Sequence, residues 1–132
     1  MVALKPKIYI ETSIPSYLTA KASSDVRVAA NRAATAEWWE VRCSAFELFV
    51  SEFVLAEAAL GDPEAAKRRL DAMSGIAELE ATEEVRTLGK ALIAEGAIPP
   101  SAEIDAYHIA IAAANGMEYL LTWNCTHIAN AR

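Results

Sequence analysis

Four side chains far apart in the sequence offer the same kind of chemistry: Glu11, Glu57, Asp105 and Asn124 all present oxygen. Carboxylates and an amide carbonyl are the ligands that hard divalent cations prefer, so such a set can hold Mg2+ or Mn2+. A cation held this way activates a water and steadies the charge on a phosphodiester during displacement. Each residue also has an ordinary explanation. Glu11 can be a loop or cap acid, and Glu57 an acid at the edge of an amphipathic face. Asp105 can be an early-turn acid favoured by the helix dipole, and Asn124 a turn residue. Together they are harder to dismiss, because acids on the core side of a fold are costly unless something positive balances them. No lysine or arginine lies within four residues of Asp105 or Asn124.

The elements that must position these residues are legible as alternating short apolar stretches and longer helical ones. KIYI at 7–10, ELFVS at 47–51, IAELEA at 76–81 and EYLLTW at 118–123 read as strands, with β-branched and aromatic residues between breakers. The intervening segments are rich in Ala, Leu, Glu, Lys and Arg, which are good helix formers. This alternation predicts an α/β fold, with a mostly parallel sheet of four or five strands flanked by helices on both faces and one domain over residues 1–132. In such sheets ligands bind outside the carboxyl ends of the strands. Glu11 directly follows the first strand and Asn124 the last, so both belong on that edge. Asp105 lies about a turn into a helix that begins near Ser101. Glu57 shares helical spacing with Phe53, Ala56 and Leu60, which puts it on the core side.

Helix boundaries follow from local chemistry. Gly61 can end one helix in a left-handed conformation, and Asp62 can cap the next, with Pro63 at its first position. Asp25 can cap the long segment running through Trp38 and Trp39. Pro99 and Pro100 close the preceding segment, Ser101 can cap SAEIDAYHIAIAAAN, and Gly116 ends it.

Composition bounds the functional classes. Eighteen acids against twelve bases give a formal net charge of -6, which argues against holding nucleic acid through a basic surface. A polyanionic substrate would need local bases or a metal ion. The longest apolar run, IAIAAA at 109–114, is too short for a membrane span, and MVALKPK lacks the form of a signal peptide, so a cytoplasmic protein without membrane contact is expected. Cys43 and Cys125 are expected as reduced thiols.

Several neighbours bear on the four oxygen ligands. Thr12, Ser13 and Thr122 can hydrogen-bond them or a phosphate, or can serve only as caps and strand residues. His108, one turn after Asp105, reads as a packed, hydrogen-bonded histidine rather than a ligand or base, and His127 as a first-turn helix residue. Adjacent side chains on a helix diverge by about 100°, so Trp38 and Trp39 cannot both enter one core, and one is expected to face outward as a partner surface. The Lys67, Arg68, Arg69 run reads as a solvated face and is the densest basic patch for an RNA contact.

With these residues in view, the sequence resembles the PIN-domain family, in particular the VapC-type toxin ribonucleases of type II toxin-antitoxin pairs. The resemblance rests on IYIETSIPSYL, SEFVLAEAALGDP, DAYHIAIAAANG and YLLTWNCTHIANA, in that order along nearly the whole chain. It implies a metal-dependent ribonuclease acting on RNA, a small antitoxin partner and a homodimer. It also implies that the acid after the first strand, the glutamate of the second block, the aspartate of the third and the residue after the last strand bind metal. These positions are Glu11, Glu57, Asp105 and Asn124. Two depart from the pattern: Glu11 stands where aspartate is usual, and Asn124 is neutral where aspartate is frequent. Those departures motivate an alternative, a catalytically weak or inactive PIN-like module that binds RNA or protein. A phosphoryl-transfer enzyme of another α/β family would need an aspartate nucleophile and a lysine late in the sheet, and neither stands at the matching place. If the three carboxylates converge without metal, their repulsion should raise at least one pKa, and Asp105→Asn should stabilise the metal-free fold.

Overall fold

KIYI becomes the inner strand of the sheet because three of its four side chains, Ile8, Tyr9 and Ile10, are buried against neighbours on both sides. The computed structural model describes residues 4–129. Strand β1 (Lys7–Ile10) lies between β2 (Glu47–Ser51) and β4 (Tyr119–Leu121), and β3 (Ala77–Leu79) adds to the far side of β2. All three pairings are parallel, with Tyr9 opposite both Phe49 and Leu120 and Val50 opposite Glu78. The helices that flank this sheet are α1 (Ser13–Leu18), α2 (Val26–Glu37), α3 (Glu52–Ala58), α4 (Pro63–Ala72), α5 (Glu83–Ala94) and α6 (Glu103–Ala114). The expected α/β architecture with a parallel four-stranded sheet is thus observed. Parallel strands share one carboxyl edge, so Glu11, Ser51 and Thr122 emerge together.

Most of the boundary chemistry holds. Asp25 accepts hydrogen bonds from the Arg27 and Val28 amides, and Asp62 accepts one from the Ala65 amide with Pro63 at the helix start. Gly61 and Gly116 have φ of 83° and 66°, the left-handed geometry that suits glycine. Ser101, however, does not cap α6. Pro100–Ala102 form a short 3-10 turn that absorbs Ser101, and the helix starts after Ala102 without a side-chain cap. Leu60 likewise leaves the face assigned to it: α3 ends at Ala58, and Leu60 is exposed beyond it, as is Ala56. Glu57 instead shares the helix with buried Phe53, Val54 and Ala58.

The tryptophan pair also differs from expectation. A π-helical turn at Trp38–Arg42 is wider than an α turn, so the two indoles diverge less, and both are half-buried against the core. Of the basic run, Lys67 pairs with Asp71 on the surface, while Arg69 donates to the Ala58 and Leu60 carbonyls at the end of α3. Arg68 reaches the Thr19 carbonyl at 3.3 Å. Two of the three bases therefore bind the backbone of the fold itself.

The placement of α6 depends on a glycine. A β-carbon at Gly89 of α5 would sit 2.7 Å from Tyr107 Cε1, so only glycine lets the two helices approach this closely. The Tyr107 ring stacks on Phe53 of α3, with centroids 5.3 Å apart and planes within 11°. The next residue, His108, is thereby fixed beneath the carboxyl edge of the sheet, fully buried. Among the described residues no helix is long and apolar enough to cross a membrane.

Candidate active site

Glu11 is the first residue past β1 and is nearly buried, with 5% of its surface exposed. A buried carboxylate needs donors, and the chain supplies two hydroxyls. Ser13 Oγ donates to Glu11 Oε1 at 2.5 Å and Thr122 Oγ1 donates to the same oxygen at 2.6 Å. Both hydroxyls are oriented in turn by backbone, since the Trp123 amide donates to Ser13 Oγ and the Asn124 amide to Thr122 Oγ1, each at 2.8 Å. The ends of β1 and β4 are so joined through one carboxylate oxygen. Among the described residues Glu11 Oε2 takes no hydrogen bond and stays available to a ligand.

Glu57 repeats this arrangement from α3. Its Oε1 accepts from Thr12 Oγ1 at 2.6 Å and from His108 Nε2 at 2.5 Å, and again no partner for Oε2 occurs among the described residues. Burial works to raise the Glu57 pKa, but the hydrogen bonds from His108 and Thr12 outweigh it and hold the carboxyl below its usual range. The anticipated repulsion-driven rise is therefore not seen at this acid. Neutral donors and a histidine relieve the charge.

Ligand atoms of Glu11, Glu57 and His108 lie within 4.8 Å of one another. His108 is wholly enclosed, as expected of a packed, hydrogen-bonded histidine. Its Nδ1 meets the Tyr9 hydroxyl at 2.6 Å, and that hydroxyl meets Ser51 Oγ at 2.7 Å. Burial pushes the Tyr9 phenol well above its ordinary pKa, which keeps it a proton donor.

Asp105 and Asn124 form a second group. Asp105 Oδ2 lies 3.1 Å from His127 Nδ1, and Asn124 Oδ1 accepts the His127 amide at 3.0 Å, capping the turn over residues 125–129. Asp105 is outside the 4.8 Å cluster among the described residues. The four oxygen ligands read from the sequence are thus divided, with Glu11 and Glu57 in one set and Asp105 and Asn124 in the other. The two sets are linked through Thr122, which donates to Glu11 and accepts from the Asn124 amide. His108 and Tyr9 were not among the sequence-derived site residues. Tyr9 reads as a plain core aromatic in KIYI, and only the fold reveals its hydroxyl partner.

The donor chemistry fits a hard divalent cation. Two carboxylates turn their second oxygens away from their hydrogen-bond partners, and among the described residues no lysine or arginine pairs with either.

No family model matches the chain, and no curated protein matches it. Among solved structures, the crystal structure of Mycobacterium tuberculosis VapC20, described as a sarcin-ricin loop cleaving toxin, superposes with a TM-score of 0.71. The likeness covers 94% of this chain and 95% of that one at 15% sequence identity. At that identity it is the backbone architecture that is shared, and the chain has a PIN-like α/β fold.

Proposed function

We propose that this protein is a metal-dependent endoribonuclease, the toxin of a type II toxin-antitoxin pair, with residues 1–132 as one catalytic domain in the cytoplasm. The observation that carries the reading is the pair Glu11 and Glu57. Each is nearly or partly buried at the carboxyl edge of a parallel sheet, each has one oxygen saturated by hydroxyl or imidazole donors, and each keeps the other oxygen for a ligand. The likeness to a protein described as a sarcin-ricin loop cleaving toxin supports the same direction.

Glu11 and Glu57 would hold Mg2+ or Mn2+, Asp105 would complete the charge, and Asn124 would act as a neutral ligand or water positioner. The ion, when bound, supplies an activated water and offsets negative charge on the phosphodiester. The protein's part is to fix the two carboxylates before substrate arrives, so that little reorganisation remains at the moment of reaction. Ser13, Thr122 and Thr12 do this through short hydroxyl bonds. The ion would also provide the positive charge that a chain of net charge -6 lacks for binding RNA. A small antitoxin and a second copy of the chain are the expected partners.

The test is incubation of the purified protein with single-stranded RNA, including a sarcin-ricin loop oligonucleotide, with Mn2+ and with or without EDTA. Cleavage that EDTA stops and that Glu11→Ala and Asp105→Ala each abolish is expected. Absence of cleavage, or cleavage indifferent to both substitutions, overturns the enzymatic reading.

A second reading, a weak or inactive PIN-like module binding RNA or protein, has one specific support: Asn124 Oδ1 is already used by the His127 amide. Calorimetric titration with Mn2+ separates the two, since the inactive module binds the ion weakly or not at all.

A further inference from the structure

The buried row Ser51, Tyr9, His108 and Glu57 is not explained by packing alone. A core can be filled by apolar side chains at lower desolvation cost, and four polar groups strung between two strands and two helices must be mutually satisfied to be tolerated. They are. Glu57 is an acceptor, so His108 Nε2 carries the proton toward it, and in a neutral ring Nδ1 must then accept. The Tyr9 hydroxyl donates to Nδ1, the Ser51 hydroxyl donates to the Tyr9 oxygen, and the Val54 amide donates to Ser51 Oγ at 3.3 Å. One polarity satisfies every member of the row, from the Val54 amide in the first turn of α3 through Ser51, Tyr9 and His108 to the Glu57 carboxylate later in the same helix.

We infer that His108, oriented by Tyr9 and Ser51, is a positioning residue that fixes Glu57 through Oε1 and so aims Oε2 at the divalent cation. This rests on the reading of Glu11 and Glu57 as cation ligands and adds the device that sets one of them. His108 is not itself placed to be a ligand: it has no exposed surface, and both ring nitrogens are engaged, Nε2 with the very carboxylate it would have to share the ion with. Hydrogen-bond partners of ligating groups typically set affinity by about 10- to 100-fold, which gives the scale expected here.

The experiment is Mn2+ titration by calorimetry on wild type, His108→Leu, His108→Gln, Tyr9→Phe and Tyr9→Phe/His108→Leu, with thermal melts to confirm folding. Pulsed EPR of bound Mn2+ adds a readout of directly coordinated nitrogen. His108→Leu should weaken Mn2+ binding by about 10- to 100-fold. His108→Gln, whose amide can donate to Glu57 and accept from Tyr9, should restore most of the affinity. Tyr9→Phe should fall between, and the double variant should bind no worse than His108→Leu, because both act through one row. The wild-type EPR should show no coordinated histidine nitrogen. If His108→Leu lowers only the melting temperature and leaves Mn2+ affinity unchanged, or if a coordinated nitrogen appears and vanishes in His108→Gln, the positioning role is wrong. Should His108→Leu fail to fold, equal Mn2+ affinity in Tyr9→Phe and wild type overturns it instead. No Mn2+ binding by wild type would overturn the cation reading itself and this role with it, an outcome distinct from those in which only the variants behave unexpectedly.

Discussion

Glu57 Oε1 and His108 Nε2 are 2.5 Å apart, joining α3 to α6 through a carboxylate that Thr12 also holds. Burial alone would favour the protonated acid, but these donors favour the anion and lower its pKa in the folded state. A group that holds its proton less tightly when folded stabilises the fold fully above its unfolded pKa, and that contribution disappears as pH falls through the folded value. The melting temperature of metal-free wild type should therefore exceed that of Glu57→Gln near neutral pH, with the gap closing in strong acid. Melts in EDTA across the acid range check this, and a gap independent of pH would contradict it.

Glutamate at position 11 is matched to its surroundings. The Ser13 and Thr122 hydroxyls meet Oε1 at 2.5 and 2.6 Å, and an aspartate, one methylene shorter, withdraws from both. Glu11→Asp should lower activity rather than raise it, even though aspartate is usual there in the family the sequence resembles. Glu11→Gln should reduce metal-dependent cleavage by about two to three orders of magnitude, in line with the several kcal/mol a catalytic ion contributes. Cleavage rates at saturating Mn2+ measure both.

Asp105 lies outside the 4.8 Å cluster among the described residues and faces His127, 3.1 Å away. A neutral residue there weakens that contact. Asp105→Asn should thus leave the metal-free fold unchanged or destabilise it by up to about 1 kcal/mol, the scale of a partly exposed pair. Urea denaturation in EDTA decides the matter, and clear stabilisation would mean that the three carboxylates crowd one another after all.

Gly89→Ala should be destabilising by about 1–3 kcal/mol although alanine is the better helix former by about 1 kcal/mol. The added methyl overlaps the Tyr107 ring, which is itself stacked on Phe53. Shifting Tyr107 also shifts His108, so the variant should lose Mn2+ affinity along with stability. Chemical denaturation and calorimetry on the same preparation test both effects.

The sequence carried the sheet and the edge on which the acids sit, because strand and helix periodicities and the Asp25 and Asp62 caps are local signals. It carried Glu11 and Glu57 as candidates for the same reason: one directly follows a strand and the other shares a helix with Phe53. What it could not carry was pairing across long separations. Tyr9 meets His108 across 99 positions and Glu11 meets Thr122 across 111, and nothing in either segment encodes the partner. Ser101 misled because a cap residue was present where two prolines impose a 3-10 turn. Leu60 misled because three- and four-residue spacing was extended past the end of a seven-residue helix. The division of the four ligands into two sets follows from the turn at 125–129, which engages Asn124 and brings His127 to Asp105.

The most direct test of the central claim is the cleavage of single-stranded RNA by wild type and Glu57→Gln, each assayed with Mn2+, after EDTA and after Mn2+ is restored. A metal-dependent ribonuclease built on Glu11 and Glu57 cleaves with Mn2+, stops in EDTA, recovers on readdition, and loses about two to three orders of magnitude in rate in the folded Glu57→Gln variant. Cleavage that persists in EDTA, or that Glu57→Gln leaves at the wild-type rate, would contradict it.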